Sequence, residues 1–142
     1  MGGVSVGIMT SGTSSERIWT QLRTAIESRD VDALAACFTE DGRWQNVPHE
    51  PWIGRQTIVD MLAPILGKAE QVRWDVVSSS FGEHRAWLER NDRFWINGAE
   101  YAVRCNGVLE VDPSTGLITE FRDYVDLGEW RARLAGAGPI WT

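Results

Sequence analysis

Ala86-Trp87-Leu88-Glu89-Arg90-Asn91-Asp92-Arg93-Phe94-Trp95-Ile96 reads as a β-strand with one face out of character. Alternate residues of an extended chain share a face, so Arg90 and Asp92 point the same way as Ala86, Leu88, Phe94 and Ile96. Two charges therefore interrupt an apolar row. The same count along Phe121-Arg122-Asp123-Tyr124-Val125-Asp126 sets Asp123 between Phe121 and Val125, with Leu117 and Thr119 before them on that face. Burying an unpaired carboxylate costs several kcal/mol, so such groups are usually paired, hydrogen-bonded or protonated. Two aspartates and one arginine on inward faces can satisfy one another.

Outward from this strand, residues 72–81, 100–111 and 117–125 also alternate or run β-branched and aromatic. Short turns such as Asn97-Gly98 and Pro113-Ser114-Thr115-Gly116 separate them, which predicts an antiparallel meander. The chain before it is helical. Thr13-Ser14-Ser15-Glu16 can form a capping box, after which Ile18, Trp19, Leu22, Ala25 and Ile26 recur at helical spacing. Asp30 caps an expected second helix carrying Val31, Leu34, Ala35 and Phe38 and ending near Asp41-Gly42. Residues 43–47 supply a strand broken by Pro48 and Pro51, and residues 54–66 a third helix that Pro64 interrupts or ends. Helices followed by strands predict an α+β layer structure. A curved sheet wrapped over helices makes a cone whose apolar interior receives Arg90, Asp92 and Asp123 and suits small lipophilic molecules. Residues 127–135 are expected to form a short helix that lids the cone or packs in a dimer. A single domain over residues 13–135 is expected between tails at residues 1–12 and 136–142.

Composition agrees with one domain. The chain has 142 residues, of which 43% are hydrophobic, enough for one well-packed core and too few for two comfortable ones. A formal charge of −6 without a basic cluster disfavours nucleic acid and anionic membrane as partners. Cys37 and Cys105 lack the spacing of a metal knuckle or redox pair, and His49 and His84 stand far apart, so no metal site is expected. Residues 1–12 carry no basic n-region or sustained apolar run. A cytoplasmic location with reduced thiols is the expectation. Trp87 and Trp95 share the face opposite Arg90 and Asp92, and large apolar groups on an outer sheet face are usually covered. A homodimer is expected.

Taken in order, Trp44-Gln45-Asn46, Leu88-Glu89-Arg90-Asn91-Asp92, Gly107-Val108-Leu109-Glu110-Val111 and Arg122-Asp123-Tyr124-Val125-Asp126 resemble the limonene-1,2-epoxide hydrolase family. That family is a branch of the nuclear transport factor 2-like, SnoaL-like superfamily of cone-shaped α+β proteins, and the resemblance spans roughly residues 14–135. It implies N-terminal helices packed in a strongly curved, mixed but mostly antiparallel sheet. It also implies one-step hydrolysis of an epoxide without metal, organic cofactor or covalent intermediate. Position by position, Asp123 matches the family's general base, Asp92 its general acid, Arg90 the arginine bridging them and Asn46 an asparagine that holds the attacking water. Trp44 stands where the family has a water-binding tyrosine. Phe94 and Phe121 are the expected substrate contacts.

The residues support this chemistry independently. Epoxide opening needs a nucleophile at carbon and a proton at the departing oxygen in the same transition state, which one base and one acid supply. Other readings stay open: a structural Arg90–Asp92 ion pair, a ketosteroid-isomerase-like or polyketide-cyclase-like proton transfer on the same fold, or a non-catalytic binding module.

Overall fold

A computed structural model describes residues 12–137. Helix α1 (Ser14–Glu27) begins at Thr13, whose hydroxyl accepts from the Glu16 N–H as the capping pattern predicts. Helix α2 (Val31–Ala36) starts at Asp30, which accepts from the Ala33 N–H. Strands β1 (Phe38–Val47) and β2 (Trp52–Ile53) precede helix α3 (Arg55–Lys68). The meander β3 (Gln71–Phe81), β4 (Arg85–Ile96), β5 (Ala99–Val111) and β6 (Ile118–Val125) follows, and helix α4 (Leu127–Ala135) comes last.

The six strands form one open, curved sheet in the order β2-β1-β6-β5-β4-β3. Every pairing is antiparallel except β1 with β6, which run parallel. This is the expected mixed, mostly antiparallel α+β architecture. Helix α1 lies against β3, β4 and β5 and buries Ile18, Trp19, Leu22, Ala25 and Ile26, the residues whose spacing predicts it. Its last residue, Glu27, accepts from the backbone N–H of Trp74 at 2.8 Å. Strand β3 is a sheet edge, so this bond occupies a donor that no further strand pairs.

Three local expectations are corrected. The second helix stops at Ala36, and Phe38 begins β1 as a wholly buried strand residue. Its place in the apolar pattern fits helix or strand alike, and pairing with Ile118 of β6 decides the matter. Helix α3 runs through Pro64 to Lys68. Pro64 gives up one backbone bond, and burial of Ile58, Leu62, Ile65 and Leu66 on one face holds the helix across that gap. In β6, Ile118 takes the inner face instead of Leu117 and Thr119. The register slips between Glu110 and Val111, leaving Thr119 as an extra residue that resets the alternation.

Candidate functional site

Strand β4 keeps its alternation throughout: Ala86, Leu88, Arg90, Asp92, Phe94 and Ile96 are all buried. Arg90 meets Asp92 side-on, with Nε 3.0 Å from Oδ1 and Nη2 2.9 Å from Oδ2. Its remaining arm, Nη1, donates to Asp123 Oδ1 at 3.0 Å. One planar guanidinium thus joins both carboxylates, a geometry that an ammonium cannot copy. Trp74, Phe121 and Trp19 surround it, their ring centres 4.4, 5.2 and 5.7 Å from the guanidinium carbon. These aromatic faces offer the desolvated cation favourable contact.

Asp123 lies on β6 and Arg90 on β4, so their bond must cross β5. The crossing point is Gly107, paired with Leu88 on one side and Asp123 on the other. A Cβ at this position would stand 2.5 Å from Arg90 Nη1, 2.6 Å from Phe121 and 2.8 Å from Asp123 Oδ1. Only a residue without a side chain leaves room for the bridge.

Arg90 has no exposed surface, whereas Asp92 and Asp123 retain 6% and 5% of theirs. The acids reach the cavity, and the arginine holds them from behind. Burial opposes the Arg90 charge, but Asp123 and Asp92 outweigh it and keep the guanidinium ionised. Burial raises the Asp123 carboxyl above the ordinary carboxylate range, against the lowering influence of Arg90 and of a hydrogen bond from the Trp44 indole. Two carboxylates against one guanidinium leave a net negative charge in a desolvated place, which a single shared proton neutralises.

The cavity measures about 420 Å³ and is predominantly apolar. Helix α1 contributes Ile26; α3 contributes Met61, Leu62, Ile65 and Leu66; the sheet adds Trp74, Phe94 and Val103. Helix α4 closes one side with Leu127, Trp130 and Arg131, Trp130 meeting Phe94 edge-on at 5.7 Å. The helix thus sits at the lid position, one of the two places expected of it.

The structure brings most of the expected site residues together. Asn46 pairs in register with Asp123 across the parallel β1–β6 ladder, and both line the cavity. Trp44 also lines it, packed on Phe121 at 4.8 Å and donating to Asp123. Phe94 is on the wall. Phe121, expected against substrate, is instead fully buried beneath Arg90, because Trp19, Trp44 and Trp74 enclose it. Among the described residues no group of three His, Cys, Asp or Glu side chains could hold a metal ion, and no helix is long and apolar enough to cross a membrane.

Two site residues were not anticipated. One is Gly107. The other is Cys105, placed opposite Arg90 on β5, whose thiol donates to Asp92 Oδ2 at 3.4 Å. Burial pushes this thiol far up, so it stays protonated and serves as a donor. Its parity with Tyr101 and Val103 on the same strand is the sequence signal that marks it.

Known proteins share this architecture. An LEH-like epoxide hydrolase from Mycobacterium tuberculosis superposes with a TM-score of 0.73 at 22% identity, over 87% of this chain and 91% of that one. A putative SnoaL-like polyketide cyclase from Shewanella denitrificans gives a TM-score of 0.75 at 15% identity, over 85% and 96%. A hypothetical protein from Catenulispora acidiphila with a ketosteroid isomerase-like fold, in complex with trimethylamine, gives 0.69 at 24% identity, over 88% and 96%. At these identities the likeness is one of fold. The sequence model of the SnoaL-like domain matches residues 19–121, from the tryptophan beneath Arg90 to the phenylalanine beside it. With most of the chain so matched and the cone in place, this protein belongs to the SnoaL-like domain family.

Proposed function

We propose that the protein opens a small lipophilic epoxide to a vicinal diol by general acid/base attack of water. The observation that carries this reading is the Asp92–Arg90–Asp123 bridge, whose two acids face a predominantly apolar cavity. Buried ion pairs add little net stability, so a desolvated acid pair facing a cavity is better explained by chemistry. In this mechanism Asp123 is the base, and its raised affinity for a proton suits that task. Asn46, adjacent on β1, holds the water whose proton Asp123 takes. As the water oxygen bonds to one epoxide carbon, that carbon's bond to the ring oxygen breaks and Asp92 protonates the departing oxygen. The proton left on Asp123 returns to Asp92 before the next turnover, restoring the singly protonated pair. Arg90 fixes the separation of the two carboxyls throughout. Phe94 and the α3 side chains hold the substrate's apolar body.

A panel of cyclic and aryl epoxides, assayed for diol with Asp123→Asn as control, tests the reading. Diol from wild type alone supports it. A single turnover in ¹⁸O-labelled water should place the label in the diol and invert the attacked carbon. An unlabelled first-turnover product would show attack by a carboxylate instead.

One observation favours a second reading. The Trp44 indole bears on Asp123 and lowers its affinity for a proton, and an indole can only donate. A base so held can also shift a proton between carbons, as a ketosteroid-isomerase-like or polyketide-cyclase-like enzyme would. Failure to form diol from every epoxide, with hydrogen–deuterium exchange at an α-carbon of a bound ketone, would favour it.

The same proposal takes the protein to be cytoplasmic, where the unpaired, buried Cys37 and Cys105 stay reduced. It also takes the protein to be a homodimer through the outer sheet face, where Trp87 remains 47% exposed.

A further inference from the structure

Two arginines stand at the cavity, one behind its wall and one in it, and they differ in their company. Arg90 is saturated by two carboxylates and wholly buried. Arg131, on the lid helix α4, is exposed at the rim. It reaches His49 in the β1–β2 connection, with Nη2 3.2 Å from His49 Nε2. A guanidinium only donates, so the His49 ring nitrogen is the acceptor of this bond. That bond uses one of five N–H donors and aims the group across the mouth between two elements of the cavity. Among the described residues no carboxylate pairs with Arg131; Glu50 of the same rim does not.

The wall between rim and acid pair is hydrocarbon and aromatic, so a bound molecule must be apolar along its middle. We infer that the natural substrate is amphipathic, carrying a carboxylate at the end of its apolar body remote from the reacting carbon, and that Arg131 receives that carboxylate. The guanidinium fork matches a carboxylate in shape as well as charge. His49 acts as a positioning residue, holding the fork toward the mouth when the cavity is empty. For which bond reacts at the inner end, the inference rests on the epoxide-opening proposal; the anion site at the rim has its own readout.

The experiment measures binding of decanoate and decanol by quenching of the cavity tryptophans, in wild type, Arg131→Gln and Arg131→Lys. The two ligands share an apolar body, so the ratio of their affinities isolates the rim. That ratio should fall about five- to tenfold in Arg131→Gln, and Arg131→Lys should retain part of it because the charge remains. A ratio that changes less than about twofold in Arg131→Gln, in protein with the wild-type circular dichroism spectrum, overturns the inference. A second arm compares the terminal epoxide of undecenoic acid with its methyl ester. Arg131→Gln should raise KM for the acid relative to the ester while the ratio of their kcat values holds; a matched rise in both KM values argues against the site. Absence of diol from acid and ester, with the decanoate ratio still falling, would remove the hydrolase reading and keep the anion site. Diol from both, with an unchanged decanoate ratio, would do the reverse.

Discussion

Asp123 is where burial and chemistry meet, and the asparagine variant separates them. Burial favours its protonated form, whose shape asparagine copies, so Asp123→Asn should melt close to wild type while diol formation falls by about 10² or more. Retention of activity within about tenfold would sink the assignment of Asp123 as base. Since a raised carboxyl must ionise before it can act, kcat/KM should fall on the acid side through a midpoint above the ordinary aspartate value of about 4. The Trp44 indole lowers that midpoint by donating to the charged form. Trp44→Phe should therefore move the acid limb to higher pH, and Trp44→Tyr, which keeps a donor, should move it less; a limb unmoved in both variants would leave Trp44 a packing residue. The inward charges of Arg90, Asp92 and Asp123 were legible because each breaks an apolar row of its own strand. Cys105 shows in the sequence only the parity it shares with Tyr101 and Val103, which puts it on the inner face without setting it against Asp92, and Gly107 breaks no pattern and gains meaning only once Arg90 is seen to cross β5.

At the level of elements, the four long strands were readable because their two faces meet different surroundings, and the outer face of β4 carries Arg85, Trp87, Glu89, Arg93 and Trp95. The boundary between α2 and β1 was hidden because Phe38 suits either element, and only pairing with β6 selects the strand. Thr119 gave no local sign of being an extra residue. Gly107→Ala tests how tightly β4, β5 and β6 are joined at the site. Because the added methyl meets Arg90, Phe121 and Asp123 at once, relief requires pushing the bridge apart, and overpacking of this kind costs about 1–3 kcal/mol. A lowered melting temperature together with lost diol formation is expected. Wild-type stability and turnover would show that the strands can spread freely.

Across the whole molecule, the outer sheet face is a lattice of ion pairs rather than an apolar patch. Arg122 links Glu110 with Glu120, Arg85 joins Glu110 at 2.7 Å, and Arg93 bridges Asp75 and Glu100. Hydrogen bonds from these arginines hold Asp75, Glu100 and Glu110 below the ordinary carboxylate range. Their stabilisation is therefore whole above about pH 4 and is lost as pH falls through the lowered values, while Asp123 works in the opposite sense. Thermal melts should show acid destabilisation that added salt reduces, and Glu110→Gln should narrow the gap between about pH 7 and about pH 3. An unchanged gap would mean the lattice contributes nothing. Trp87 and Trp95 lie under Arg85 and Arg93 at 5.8 and 4.8 Å, so the proposed dimer would bury a face of mixed character. Sedimentation of wild type and Trp87→Glu would reveal it as a shift from dimer toward monomer. The parallel β1–β6 ladder, which sets Asn46 beside Asp123, joins the front of the domain to its last strand. Contacts so distant along the chain form late and slowly. A nascent chain leaving the ribosome thus carries half of the proposed acid–base pair on a meander still being made, and the pocket stays incomplete until β6 has emerged and paired with β1.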